Sequence, residues 1–132
     1  DHLGLAAALT EEPEQFEKRT GIPCRLTLAE MESPVPDVIA TAAFRIFQES
    51  LTNVARHANA TRIDAECSIT GGILRLTIRD DGTGIPASLG LIGMIERASD
   101  AGGRIRFEAP PGGGTSVKLT VPIPTVPDQP SS

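Results

Sequence analysis

Phe44–Ala58, FRIFQESLTNVARHA, reads as the second half of a long helix that begins near Pro36. On a 3.6-residue period, Ile39, Ala43, Ile46, Phe47, Ser50, Leu51, Val54 and Ala58 fall in one mostly apolar stripe. Glu49 and Asn53, four residues apart, lie together just off one edge of it. A carboxylate and a carboxamide are thus held beside packed core, where a ligand can cover them. A lone E-x-x-x-N would be an ordinary helix boundary. The glycine-rich DDGTGI beginning at Asp80 is what makes it a candidate site.

Outward from this helix the chain is readable in both directions. Upstream, the spacing predicts a helix over Leu3–Thr20 with Leu5, Leu9 and Phe16 on one side and Gly21 as its stop; Pro13 predicts a kink or a split. Ile22, Cys24, Leu26 and Leu28 alternate as a first strand, with Pro23 placing its start at a sheet edge, and Glu30–Pro36 reads as a loop. Downstream, the period changes to two. Ile63, Ala65, Cys67 and Ile69 make one strand, Leu74, Leu76 and Ile78 the next, and Thr70-Gly71-Gly72 a tight hairpin between them. The alternation carries Asp80 to the inner face and Asp81 to the outer one. An inward carboxylate at a strand terminus is costly unless hydrogen-bonded. A helix over Leu91–Ala101, ended by Gly102-Gly103, precedes two strands. These point Ile105 and Phe107, then Thr115, Val117, Leu119, Val121 and Ile123, inward.

The order α, β, α, β, β, α, β, β predicts an α/β (α+β) two-layer sandwich: a mixed, mostly antiparallel sheet with helices on one face and a wet face opposite. Residues 1–124 form the expected domain, and the Pro/Ser-rich tail 125–132 is expected to be disordered. At 132 residues one substantial core is available, and the absence of Trp and Tyr makes it aliphatic. A net charge of -5 and no basic run argue against a nucleic-acid binder. No apolar run approaches membrane-spanning length. Cys24 and Cys67 lack metal-ligand spacing and read as buried reduced thiols of a cytoplasmic protein, with a disulfide as the alternative. The absence of an initiator Met marks the chain as an expected piece of a longer protein.

Four features converge: the Glu49/Asn53 helix face, inward Asp80, the loop of Gly82, Gly84, Gly90 and Gly93, and Thr115 after a glycine run. Glycines let backbone N–H groups approach an anion, and a helix starting near Gly90 offers a positive dipole end. An inward carboxylate accepts from an exocyclic amine such as that of adenine, and Asn53 offers a carbonyl oxygen to a hard cation. A calcium loop fails, because Arg79 and Thr77 stand where acids are needed. A Walker loop fails for want of G-K-[ST], and a dinucleotide fingerprint fails at Ala87.

These segments resemble the GHKL ATPases, and among them the sensor histidine kinases of two-component systems. QESLTNVARHA resembles their N-box, DDGTG their D-x-G-x-G box, Gly90-Leu91-Ile92-Gly93-Met94 their second glycine box, and Gly112–Thr115 their final G-x-G-T element. Order and spacing of all four match, over about Leu3 to Pro124. The R-H-A ending, the G-L-x-G-M-x-x-R-A run and the Leu-Gly-Leu opening resemble the nitrate-sensor/DesK-like subgroup. The resemblance implies the Bergerat fold and, as ligands, ATP and Mg²⁺. It implies that Asp80 reads adenine, Asn53 holds Mg²⁺, and Gly82, Gly84, Gly90 and Gly93 shape the nucleotide loop. By the same resemblance Glu49 is the base-like residue near the transferred phosphate, Thr115 supports the adenine end, and His57, where the subgroup carries a basic residue near the phosphates, has a structural or ligand-orienting role. Ile85, Leu91 and Met94 join the nucleotide-binding positions. Departures are Ser88, where the family usually has another glycine, and a very short lid between Ile85 and Gly90.

The expected function is the catalytic domain of a histidine kinase, donating the ATP γ-phosphoryl group to a histidine on a separate dimerisation domain and onward to a response regulator. His57, inside the N-box, and terminal His2 are not expected to be phosphoacceptors, so this chain alone should not autophosphorylate. It is expected to be monomeric, within a homodimeric full-length protein, membrane-bound or soluble, whose cytoplasmic portion it forms. The alternatives are an anti-sigma-type serine kinase and a nucleotide-binding module without transferase activity. A clamp ATPase would need a longer lid and a second domain.

Overall fold

Strands β1 (Cys24–Met31), β2 (Ile63–Thr70), β3 (Ile73–Asp80), β4 (Arg104–Glu108) and β5 (Thr115–Pro122) form one sheet in the order β1-β2-β3-β5-β4 in the computed structural model. The structure describes residues 2–83 and 91–124. Only β1–β2 is a parallel pair; β2–β3, β3–β5 and β5–β4 are antiparallel. Helices α1 (His2–Thr20), α2 (Asp37–Asn53) and α3 (Leu91–Asp100) pack side by side on one face. The mixed, mostly antiparallel two-layer sandwich expected from the element order is the fold observed.

Strand alternation builds the core. Ile63, Cys67 and Ile69 of β2, Leu74, Leu76 and Ile78 of β3, and Val117, Leu119 and Val121 of β5 are buried beneath Ile39, Ile46, Phe47 and Leu51 of α2. The hairpin turns on Gly71 and Gly72, at φ 61° and 73°, the paired left-handed conformations that match the twist of two flanking strands. α3 ends in a Schellman motif: Gly102, at φ 85°, donates to Ser99 O and Gly103 to Ala98 O at 2.9 and 2.8 Å.

Four boundaries differ from the sequence expectation. α1 is one continuous helix, because Pro13 sits on its inner side with Leu5, Leu9 and Phe16 and is itself buried there. Core burial offsets the backbone bond that a proline forfeits. β1 starts at Cys24 rather than Ile22 and runs to Met31 through a register shift after Leu28. The expected loop from Glu30 therefore starts later, since a bulge hides the period-two pattern. α2 keeps α-helical form only to Asn53; Val54–Ala58 is a π-helical turn, closed by Asn59 in the left-handed conformation at φ 50°. The helix assigned to Leu91–Ala101 stops at Asp100. Cys24 and Cys67 are free thiols. Burial pushes their pKa values up to about 11 and about 12, so neither is a reactive thiolate at neutral pH. The tail 125–132 lies outside the described residues.

Candidate functional site

The end of the sheet where β3 stops and β5 starts is built around one carboxylate. β3 presents inner-face residues at Leu74, Leu76 and Ile78, and the same phase delivers Asp80, which is 6% exposed. Asp80 and Thr115 are register partners across β3 and β5. Asp80 Oδ1 accepts the Gly82 N–H at 2.7 Å. Burial pushes its pKa up and the charge of Asp81 adds to that, while the N–H groups of Gly82 and Thr115 pull it down; the net direction is up. Thr115 is buried and its Oγ1 has no hydrogen-bond partner among the described residues. A buried carboxylate with spare lone pairs beside an orphaned hydroxyl is an arrangement completed by a donor from outside.

Two backbone devices fix this cluster. Gly114, at φ 84°, lies so close to the end of β3 that a Cβ there would stand 2.1 Å from Asp80 O and 3.2 Å from Asp81 Cα. Only glycine permits that approach. Asp81, on the outer face, ties β3 to the start of β2: Oδ1 accepts the Thr61 and Arg62 N–H groups at 2.7 and 3.1 Å, and Oδ2 accepts the Thr61 hydroxyl. The Thr61 hydroxyl, followed by these backbone donors, lowers the Asp81 pKa to about 2. The adjacent acids therefore divide the work, one exposed and structural, the other buried and available.

The second group of candidates lies on α2, which crosses the inner face over β3 and β5. Glu49 is half-exposed, and its Oε1 takes the Arg97 Nη2 of α3 at 3.2 Å. One turn on, Asn53 is half-buried, with Nδ2 buried and without a partner among the described residues. Arg97 Nε is likewise buried and has no partner among the described residues. Ser50 Oγ donates to the Met94 sulfur at 3.8 Å, pinning α3 to α2 beside the ion pair. His57 is exposed on the π turn, where the wider coil changes its angular relation to Asn53, so the two are not stacked one α-turn apart.

The structure therefore brings Asp80, Gly82 and Thr115 into one cluster and Glu49 and Asn53 into another. Met94 is 1% exposed and its side chain is packed in the core; Leu91 is half-buried against that core. Gly93 is exposed within α3, with open space where a Cβ would sit. Gly84, Ile85 and Gly90, together with Ser88 and the short lid, lie outside the described residues. Arg97 and Gly114 were not among the expected site residues. Arg97 was legible as the basic position four residues after Gly93 on α3, and Gly114 as the glycine directly before Thr115.

The donor set fits a nucleotide carrying a hard cation. The unpartnered Asn53 Nδ2 and Thr115 Oγ1 suit acceptor or donor groups of a nucleotide, and only the Asn53 amide oxygen could meet a cation; among the described residues no three His, Cys, Asp or Glu side chains gather into a metal cage. A cation at Asn53 thus takes most of its ligands from phosphates and water. No helix among the described residues is long and apolar enough to cross a membrane.

Residues 39–125 match the family described as histidine kinase-, DNA gyrase B-, and HSP90-like ATPase. The sensor histidine kinase YxjM of Bacillus subtilis (strain 168) is 39% identical over 115 residues, covering 84% of this chain and 28% of that protein. The sensor histidine kinase LiaS of the same organism is 33% identical over 126 residues, covering 91% of this chain and 34% of that protein. The chain thus spans about a third of the length of the curated relatives it matches. The histidine kinase domain of the Erythrobacter litoralis EL346 blue-light activated histidine kinase superposes with a TM-score of 0.76 at 24% identity, over 90% of this chain and 61% of that one.

Proposed function

The chain belongs to the family of histidine kinase-, DNA gyrase B-, and HSP90-like ATPases, and from that premise we propose that it is the ATP-binding catalytic domain of a sensor histidine kinase. It holds ATP so that the γ-phosphoryl group passes to a histidine on a separate dimerisation domain, and from there to a response regulator. The observation that carries this reading is Asp80: a buried carboxylate at a strand end, held by the Gly82 N–H beside the orphaned Thr115 hydroxyl. That cluster accepts an exocyclic amine and donates one hydrogen bond, as the edge of adenine requires.

In this reading the Asp80 carboxylate accepts from the adenine amine, and Thr115 Oγ1 supplies the adjoining polar contact. The Asn53 amide meets the cation with its oxygen. Bound magnesium would supply charge neutralisation along the phosphates. Glu49, oriented by Arg97, faces the phosphate end as the base-like group. The roles of Gly84, Ile85 and Gly90 in the nucleotide loop, of Gly93, Leu91 and Met94 in the following box, and of His57 in orienting ligand are part of the same proposal. The domain is cytoplasmic, and positioning with charge neutralisation does most of the catalytic work.

Incubation with labelled ATP and Mg²⁺ tests it. This chain alone should bind ATP and acquire no label, because the acceptor histidine belongs to the separate dimerisation domain and His57, on the π turn that ends the N-box, is not expected to take the phosphoryl group. A separately supplied helical-hairpin domain bearing the acceptor histidine should be labelled weakly, since no tether raises its effective concentration to about the millimolar range. The label should be acid-labile. Acid-stable label would indicate a serine kinase instead, and label on His57 would overturn the proposal.

A further inference from the structure

The open face of the sheet gathers charges that are scattered in sequence. Register places Arg75 of β3 and Arg104 of β4 on either side of Thr120 of β5, in one row across three strands. The next row holds Thr77, Lys118 and Arg106, and the next Arg79, Ser116 and Glu108. Three adjacent strands thus present five cations against one carboxylate, on a chain whose net charge is -5. Glu108 is already engaged, taking Lys118 Nζ at 3.0 Å and Arg106 Nη2 at 3.3 Å. Among the described residues no carboxylate pairs with Arg75 or Arg104, and both are exposed; Arg79, also exposed, lies opposite Asp64 of β2 and within the electrostatic reach of Glu108. On the β1–β2 half the balance differs: Asp64 and Glu66 face outward with Arg25 and Arg62, and Asp64 pairs with Arg62 at 3.5 Å. The basic field is therefore confined to β3, β5 and β4, on the side of the sheet away from α1, α2 and α3.

We propose that this face of β3, β5 and β4 is a docking surface for an acidic polypeptide, a protein segment or surface carrying clustered carboxylates. Charge complementarity selects the occupant. The Cα positions of Arg75 and Arg104, about 10 Å apart across two strand spacings, suit separate carboxylates, and Thr77 and Thr120 between the cations can bond a backbone or a carboxylate. A lipid surface fits less well: the exposed large apolar residues Val38, Ile92 and Ile95 are all on the helices, and none is on this face. A nucleic acid fits less well still, because the face has no exposed aromatic to stack a base and the rest of the molecule is strongly acidic. The patch measures roughly 14 by 17 Å, far below the ~800 Å² per partner of a stable complex. The contact is accordingly transient and salt-sensitive, acting mainly on encounter rate.

The test is fluorescence anisotropy of labelled poly-L-glutamate titrated with the 132-residue chain, at low salt and at about 0.5 M salt. Binding at low salt that is lost at high salt is expected. The double variant Arg75→Glu/Arg104→Glu should weaken it at least about tenfold, and the neutral pair Arg75→Gln/Arg104→Gln should weaken it less. The control Lys18→Glu/Arg19→Glu, which makes the same change of charge on α1, should leave it within about twofold. Circular dichroism checks that each variant is folded, and ATP affinity should be unchanged in all of them, which separates this surface from the nucleotide site. No binding by the wild-type chain, equal losses in the sheet and α1 variants, or preference for phosphatidylserine vesicles or duplex DNA over polyglutamate would each overturn the proposal.

Discussion

Replacing Asp80 by Asn isolates the contribution of one charge. The amide keeps the volume and can still accept the Gly82 N–H, now 2.7 Å from Oδ1, so β3 and its turn should persist. Because burial opposes ionisation here, removing the charge should leave thermal stability unchanged or slightly higher. Ligand binding should respond in the opposite sense. A hydrogen bond to a charged acceptor is worth about 1.5–3 kcal/mol, which corresponds to about a 10- to 150-fold rise in Kd for ADP or ATP. Titration calorimetry measures this directly. The pH profile adds an independent check. Burial holds the folded Asp80 pKa above the ordinary carboxylate value of 3.8, so the charged acceptor is lost as pH falls through that raised value. Wild-type affinity should decline over that interval, earlier than for an ordinary aspartate, while the Asn variant stays flat. Unchanged affinity in a folded Asp80→Asn protein would remove Asp80 from the adenine site.

Asn53→Ala should still bind nucleotide weakly but lose most of the Mg²⁺ dependence; a wild-type response to Mg²⁺ in calorimetry would refute the metal assignment. Gly114→Ala should cost at least about 2 kcal/mol in denaturant unfolding, because its Cβ would stand 2.1 Å from Asp80 O at a φ of 84°. Gly93→Ala, with open space around it and a helical backbone, should instead stabilise by about 0.5–1 kcal/mol, and a loss of ATP affinity in that stable variant would place Gly93 in the nucleotide loop. Asp81 has its folded pKa lowered to about 2, so its contribution to stability is complete above the ordinary 3.8 and is lost as pH falls through about 2. In acid titrations followed by circular dichroism, Asp81→Asn should show a shallower fall over that window; identical curves would mean the Thr61 and Arg62 contacts add nothing.

Much of this was legible because strands and helices carry their own periods. The inward phase of Leu74, Leu76 and Ile78 sufficed to bury Asp80, and the stripe from Ile39 to Val54 sufficed to orient Glu49 and Asn53. Context decided what remained. A proline on the core side of α1 is held in helix by packing that no local propensity reports. The π turn after Asn53 replaces the α-helix expected there with no glycine or proline to announce it. The pairing of Arg97 with Glu49 joins residues 48 positions apart, and the basic face exists only once register sets β3 beside β5 and β5 beside β4. A linear search for basic runs finds nothing there, because the cations alternate with inward residues.

β3 is flanked along all eight of its residues by β2 on one side and β5 on the other. Its amides are therefore among the last to exchange with solvent, reachable only through global unfolding. The π turn that follows Asn53 has no such neighbours in the sheet, so its amides should exchange through small local openings. A ligand gripped by both would be anchored at one end on the most slowly opening strand and at the other on a segment that breathes. Saturating nucleotide should then slow exchange selectively around Val54–Ala58 while leaving the already protected amides of Leu74–Ile78 unchanged.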